Sequence, residues 1–312
     1  MRLIKPKFWD LNYLTFRSIL LYPFTFILDI RDLITIYIKP KNYNEIKTIC
    51  IGNIYLGGTG KTPLVDFLAN DLKVKFKTAI IKKKYQSHLD EKKLLEKNNK
   101  VFFNKDRRIS LMKAIKEKYQ LVIFDDGLQD KKIEYNLKIV CFSSISLAGN
   151  KLRIPAGPLR EKLDSLKKYD AIFVNGKVMN KKFINQIKKI NPKIAIFNGE
   201  YICSNLDKYK KNCYLIFSGI GNPLAFKNTL SKYNIKFKSS LIFPDHYNYS
   251  DNDIKKIKKI AKDKKLKILT TEKDFYRIPT KEKKNIDYLK VNLKIIKQKE
   301  FKRFIIKNLW KI

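Results

Sequence analysis

Histidine, arginine and cysteine are scarce in this chain: two, nine and four residues out of 312. Each shortage excludes something. Of 68 lysines and arginines, 59 are lysine, whereas chains that read nucleic acid lean on arginine, whose planar fork matches phosphates and guanine edges. The formal net charge of +39 is therefore read as solvated lysine faces, with attraction to anionic lipid as a by-product, and no nucleic-acid partner is expected. Cys50, Cys141, Cys203 and Cys213 make no C-x-x-C pair, and Cys50 and Cys141 sit in strand-like runs where a buried free thiol is the default. No secretory signal with a small-residue cleavage site is visible, so a reducing, cytoplasmic compartment is expected. A long apolar run is also missing. Within the aromatic stretch from Phe8 to Ile38 the longest charge-free run, Ser18 to Leu28, is fenced by Arg17 and Asp29 and is too short to span a bilayer. Pro23 kinks or ends a helix there. Two readings remain: an interfacial helix with its apolar face in lipid, or a helix packed on the main domain. Phe8, Trp9, Tyr13 and Tyr22, all types that favour membrane interfaces, tilt the choice towards lipid.

What is present argues for a folded α/β chain. Hydrophobic residues make up 44% of the sequence, and the length suits two domains. From about residue 46, short apolar runs alternate with helical stretches. Strands are expected at Thr48–Ile51, Thr78–Ile81, Leu121–Phe124, Ile139–Phe142, Ala171–Val174 and Ile194–Phe197. Continuous apolar runs of this length suit strands buried on both faces of a parallel sheet. Between the first two, Leu64, Phe67, Leu68 and Leu72 share a helical face. The expected fold is a P-loop-type, mostly parallel sheet with helices on both faces. A second set, Tyr214–Phe217, Leu241–Phe243, Lys267–Thr270 and Tyr288–Val291, implies a smaller α/β domain. The polar stretch "CSNLDKYKKNC" separates the two sets. The expected division is an N-terminal membrane-associated helix over 1–40, a nucleotide-binding domain over 41–205 and a C-terminal domain over 206–312.

The stretch "IGNIYLGGTGKTPLVDF" runs from a strand through a glycine-rich turn into a helix. Gly57, Gly58, Thr59 and Gly60 can turn backbone N–H groups inward around phosphate oxygens. Lys61 would reach the β- and γ-phosphates, and Thr62 would hold Mg²⁺ through its hydroxyl. Pro63 suits the first helical turn. Tyr55 stands where the full G-x-x-x-x-G-K-[ST] pattern has its first glycine. A P-loop requires an acidic strand end for the metal, and "LVIFDDGLQ" supplies Asp125 and Asp126. Adjacent carboxylates ending a buried strand are costly without a cation. A plain polar turn is the alternative. Of the two histidines, His88 and His246, the latter lies in the polar segment "PDHYNYSD".

These and further motifs, in this order, resemble the tetraacyldisaccharide 4′-kinases: "GNIYLGGTGKTP" (52–63), "DDGLQ" (125–129), "IPAGPLREKL" (154–163), "VNG" (174–176), "SGIGNP" (218–223), "FPDHYNYS" (243–250) and "TEKD" (271–274). The likeness covers nearly the whole chain. It implies phosphate transfer from ATP, with Mg²⁺, to the 4′-hydroxyl of an anionic acylated disaccharide 1-phosphate lipid, giving lipid IVA. The implied place is the cytoplasmic face of the inner membrane of a Gram-negative bacterium, as a monomer, with the head group in a cleft between the domains. It also implies that an aspartate of a "GDEP"-like segment, here "LDEK", pairs with the histidine of "PDHY". That makes Asp90 the base and His246 its partner, while His88 is read as incidental. Arg160 is then a phosphate clamp, Glu161 a metal or orienting carboxylate, and Gln129 a substrate contact; an exposed Arg–Glu pair at a helix start is the plainer reading. Lys105, Asp106 and Arg107 match the family's "KDR" as a substrate contact or local network. The departures are "KKKYQ" at 82–86 where the family reads "SRGYG", Asp130 where it has histidine, and Leu89 and Lys92 beside "DE" in a shortened loop. Two other functions fit parts of the sequence: a P-loop kinase for a different membrane glycolipid, and a nucleotide-binding ATPase that is not a kinase.

Overall fold

A computed structural model describes residues 5–85, 89–204 and 206–310. The chain divides into two compact units, one comprising Lys5–Lys84, Asn98–Glu200 and Lys294–Ile312 and the other built mainly from Tyr85–Lys97 and Tyr201–Leu293.

The first unit is built on an eight-stranded sheet. Its strands are β1 (Lys47–Gly52), β2 (Thr78–Lys83), β3 (Val101–Asn104), β4 (Leu121–Asp125), β5 (Leu137–Ser143), β6 (Ala171–Asn175), β7 (Ala195–Cys203) and β12 (Val291–Ile296), in the order β12-β7-β6-β5-β1-β4-β2-β3. The pairings from β3 through to β7 are parallel. The apolar runs become strands because both of their faces are covered. On one face Cys50, Phe124, Phe142 and Val174 pack with Leu111 and Ala114 of α5 (Arg107–Lys116) and with Phe183 and Ile187 of α6 (Lys181–Ile190). On the other, Phe173 and Phe197 meet Phe301 of α11 (Gln298–Trp310) at ring-centroid distances of 5.8 and 4.8 Å. α3 (Lys61–Leu72) buries Leu64, Val65, Leu68 and Leu72, while Phe67 is half-buried.

The second unit carries a four-stranded parallel sheet in the order β11-β10-β8-β9, from β8 (Cys213–Ser218), β9 (Lys236–Ile242), β10 (Lys267–Thr271) and β11 (Ile286–Leu289). Alternate residues of β8 point to opposite cores. Leu215 and Phe217 join Ile254, Ile257 and Ala261 of α9 (Asp251–Asp263); Tyr214 and Ile216 join Phe226 and Leu230 of α8 (Pro223–Lys232). A reciprocal capping box between Ser250 and Asp253 starts α9.

Two sequence expectations change. The run Tyr288–Val291 is not one strand: β11 ends at Leu289 and β12 starts at Val291, each in a different sheet. The division at 205/206 also differs from the units. The chain returns to the first unit after β11 because Phe301, Ile305 and Leu309, spaced four apart on α11, are buried there. Tyr85–Lys97 groups with the second unit because α4 (Leu89–Glu96) packs on α10 (Glu272–Arg277). Lys273 Nζ reaches Glu91 Oε1 at 2.5 Å in that contact. At the N-terminus, α1 (Phe16–Leu21) and α2 (Phe26–Ile36) are separated by a 3-10 turn holding Pro23. Among the described residues no helix is long and apolar enough to cross a membrane.

Candidate active site

The glycine-rich loop connects β1 to α3, as the sequence implies. Gly60 takes φ +81° directly before Lys61, a left-handed conformation that costs a side-chain-bearing residue energy and glycine almost none. Gly60 also brings no side-chain acceptor to the first turn, which leaves that turn's N–H groups for an anion. The loop is held from outside. Asn53 Nδ2 donates to Gly57 O at 3.1 Å, and Asn175 Nδ2 of the "VNG" segment donates to Thr59 O. Leu56 N donates to Pro158 O and Arg160 N to Ile54 O, both at 2.7 Å. That short pairing brings the "AGPLRE" segment to the loop. Tyr55, in the missing-glycine position, is buried and its hydroxyl donates to Asp10.

Asp125 ends β4 fully buried, in register with Ile51 of β1 on one side and Lys82 of β2 on the other. Its Oδ2 accepts from Thr62 Oγ1 at 3.3 Å and from Lys82 Nζ at 2.5 Å. Four buried side-chain oxygens around the loop have no hydrogen-bond partner among the described residues: Asn53 Oδ1, Thr59 Oγ1, Asp125 Oδ1 and Asn175 Oδ1. Buried polar atoms are normally satisfied, so this concentration points to a ligand bringing donors or a cation. No cluster of three or more His, Cys, Asp or Glu side chains suited to a metal occurs among the described residues. The Thr62 hydroxyl and the Asp125 carboxylate fit Mg²⁺, which takes one or two protein oxygens and completes its shell with phosphates and water.

Asp126 sits at φ +62°, a strained conformation for a non-glycine residue. Arg107 Nη2 clasps its carbonyl, and Arg107 Nη1 pairs with Asp130 at 3.3 Å, which accounts for an aspartate at position 130. Arg160 Nη1 lies 3.3 Å from both carboxylate oxygens of Asp126, and Lys61 Nζ lies 3.7 Å from Oδ1. Burial pushes the Asp126 carboxyl up, but the charges of Lys61, Arg160 and Lys82 outweigh it and hold the group at about 2. Gln129 knits the set together, accepting from Arg160 Nη1 at 3.3 Å and donating to Glu161 Oε1 at 2.7 Å. Glu161 Oε2 accepts from Tyr169 at 2.8 Å. Glu161 thus stands with Gln129 and Tyr169, and these contacts do not join it to Thr62 or Asp125. Of the "KDR" residues, Asp106 caps α5 by accepting from Arg108 N at 2.8 Å, while Arg107 makes the clasp above.

In the second unit, the motifs "SGIGNP", "FPDHYNYS" and "TEKD" converge on Asp274. Its Oδ1 accepts from Gly219 N at 2.9 Å, Tyr249 Oη at 3.0 Å and Arg277 Nη1 at 3.1 Å; its Oδ2 accepts from Thr271 Oγ1 at 2.6 Å. His246 adopts φ +55°, its N–H donates to Gly219 O at 3.0 Å, and its Nδ1 lies 3.3 Å from Arg277 Nη2. Asp90 is the second residue of α4, but its side chain, like His88, falls outside what the structure describes. The helix bearing Asp90 and the loop bearing His246 share α10 as a neighbour. Sequence reasoning missed Arg277, one helical turn after Asp274, as well as Lys82, Asn53 and Asn175.

The N-terminal helices present their apolar residues outward. Phe16, Leu20, Phe24, Phe26, Ile27 and Ile34 are all more than half exposed. Their polar residues face the first unit instead: Ser18 accepts from Asn150 Nδ2 at 3.1 Å, and buried Arg153 reaches Asp29 at 2.6 Å and Asp32 at 2.7 Å.

The chain is similar to known proteins over nearly its whole length. The family model for tetraacyldisaccharide-1-P 4′-kinase, LpxK, matches residues 17–310. The tetraacyldisaccharide 4′-kinase of Pelagibacter ubique is 46% identical over 312 residues, covering 98% of each chain. That of Rickettsia bellii is 32% identical over 303 residues, covering 89% of this chain and 90% of its own. The crystal structure of LpxK from Aquifex aeolicus in complex with ATP superposes with a TM-score of 0.71 at 25% identity, over 95% of this chain and all of that one. The chain belongs to the tetraacyldisaccharide-1-P 4′-kinase family.

Proposed function

We propose that the chain transfers the γ-phosphoryl group of ATP to the 4′-hydroxyl of tetraacyldisaccharide 1-phosphate. The observation that carries this reading is the loop Gly57–Thr62: a left-handed glycine before Lys61, with Thr62 on Asp125 and unpaired oxygens around it, in a chain of this family. Lys61 and Arg160 meet the phosphate oxygens and offset the charge that builds as the γ-phosphoryl group moves. Thr62 and Asp125 would hold Mg²⁺, which would supply positive charge against the phosphates. Gln129, fixed by Glu161, orients Arg160. As the sugar oxygen forms its bond to phosphorus, the bond from the γ-phosphorus to the bridging oxygen breaks and ADP leaves. The hydroxyl proton passes to Asp90, with His246 as its partner. The enzyme works as a monomer on the cytoplasmic face of the inner membrane, where an acylated substrate resides, a reading that the outward apolar residues of the N-terminal helices support.

The test is a transfer assay on the full-length protein in mild detergent, with γ-labelled ATP, Mg²⁺ and the tetraacyldisaccharide 1-phosphate. Label on the lipid that disappears with Lys61→Ala and with Asp90→Ala supports the function and the base together. Label that survives Asp90→Ala removes the base and keeps the kinase. Absence of lipid label beside intact ATP binding overturns the acceptor.

A further inference from the structure

Lys82 is the buried charge that this mechanism leaves unused. It is 3% exposed, it closes the apolar run of β2, and its ammonium lies 2.5 Å from the Asp125 oxygen that also accepts from Thr62. Parallel register sets Lys82 directly beside Asp125, so the two side chains leave their strands at one level. The ammonium therefore occupies the carboxylate on which the metal is expected. A divalent cation and an ammonium sharing one buried carboxylate stand within a few ångströms of each other and repel strongly. Nucleotide phosphates relieve that conflict, because they give the ammonium an anion other than Asp125.

We propose that Lys82 makes metal binding conditional on nucleotide. Without nucleotide its ammonium holds Asp125 and keeps divalent cations off the Thr62–Asp125 pair. When ATP enters, the ammonium transfers to a phosphate oxygen, adding a third cationic contact beside Lys61 and Arg160, and the freed carboxylate takes the metal. The exchange frees Asp125 Oδ2, the oxygen that Thr62 also contacts, beside an Oδ1 that is buried and without a hydrogen-bond partner among the described residues. The inference rests on the nucleotide reading of the loop and adds an order of events to it.

The experiment uses full-length protein and two probes: Mn²⁺ alone, followed by electron paramagnetic resonance, and ATP in EDTA, followed by calorimetry. Lys82→Met is expected to bind Mn²⁺ without nucleotide at least tenfold more tightly than wild type. It is expected to bind metal-free ATP at least tenfold more weakly, while Lys82→Arg stays within threefold of wild type for ATP. A lysine that only fills the core would lower the melting temperature and move neither affinity, and either affinity unmoved overturns the proposal. If Lys82→Met does not fold, Asp125→Asn provides the background. It releases the ammonium, so adding Lys82→Met must still cost tenfold in metal-free ATP affinity, and no change there is equally fatal. Wild-type protein that binds no ATP even with Mg²⁺ would instead overturn the nucleotide reading itself.

Discussion

Two glycine-bearing turns at strand ends, one after β1 in the first unit and one after β8 in the second, are finished in opposite ways. The turn after β8 is closed on itself: Asp274 accepts from a backbone N–H, a tyrosine, a threonine and Arg277, and Arg277 returns to Gly219 O at 2.6 Å. The turn after β1 is left open, with buried oxygens at Asn53, Thr59, Asp125 and Asn175 that have no hydrogen-bond partner among the described residues. A satisfied network rigidifies its surroundings, whereas an unsatisfied one costs stability until something fills it. The first kind holds a residue in place, here His246 in its left-handed conformation. The second receives a ligand.

Substitutions can break this contrast. The largest effect is expected at the open turn. Lys61→Ala should slow phosphoryl transfer by about a thousandfold, in line with the loss of one charge-stabilising donor; steady-state transfer of labelled phosphate reads it. At the closed turn the loss should appear in stability instead. Asp274→Asn breaks a buried ion pair and should cost ~3–5 kcal/mol by urea unfolding, while ATP affinity holds within twofold. Gly60→Ala forces a side chain into the left-handed region and should cost ~1–2 kcal/mol, together with weaker ATP binding by calorimetry. The acid limb sharpens the comparison further. Because the folded Asp126 carboxyl is held at about 2, below its ordinary value, the stability it contributes is complete above about pH 4 and is lost as pH falls towards 2. Asp126→Asn should therefore flatten the stability–pH slope in that window alone, measured as urea midpoints. The smallest effect has the opposite sign. Thr59→Val removes a buried hydroxyl that lacks a partner and should stabilise the ligand-free protein by ~1 kcal/mol while weakening ATP binding, whereas Thr271→Val, at the satisfied turn, should destabilise.

How much of this could be read beforehand follows from distance along the chain. The nucleotide loop was legible because its chemistry lies within a few consecutive residues, from Gly57 to Thr62, between a strand and a helix. Asp125 and Asp126 were legible because an apolar run ending in two carboxylates is unusual. Lys82 was hidden by composition: in a chain with 59 lysines, one more after "TAII" draws no notice. The signal emerges only when the parallel runs "TAIIK" and "LVIFD" are laid side by side, which sets lysine opposite aspartate. Asn53 and Asn175 hold the loop through side-chain amides, and nothing local separates such asparagines from the many others. β3 was missed because four residues at a sheet edge carry little periodic signal, and β11 and β12 were fused because only tertiary pairing separates Leu289 from Val291. The residues of the second unit were recognised as motifs, yet that Arg277 lies beside His246 Nδ1 depended on the fold of α10.

The return of the chain at β12 and α11 sets a timetable for synthesis. The first sheet begins with residues made early, at β1, but its edge beyond β7 is covered by β12 and α11, which leave the ribosome after every strand of the second sheet. All four strands of the second sheet emerge before that cover exists. The later-made unit can therefore finish folding first, while the nucleotide-binding unit waits with an open strand edge and an uncovered Phe173–Phe197 face. A chain stopped short of Phe301 would keep every residue of the glycine-rich loop and lack the cover that lets their sheet persist, so loss of α11 should be read out as aggregation during expression rather than as a weaker enzyme.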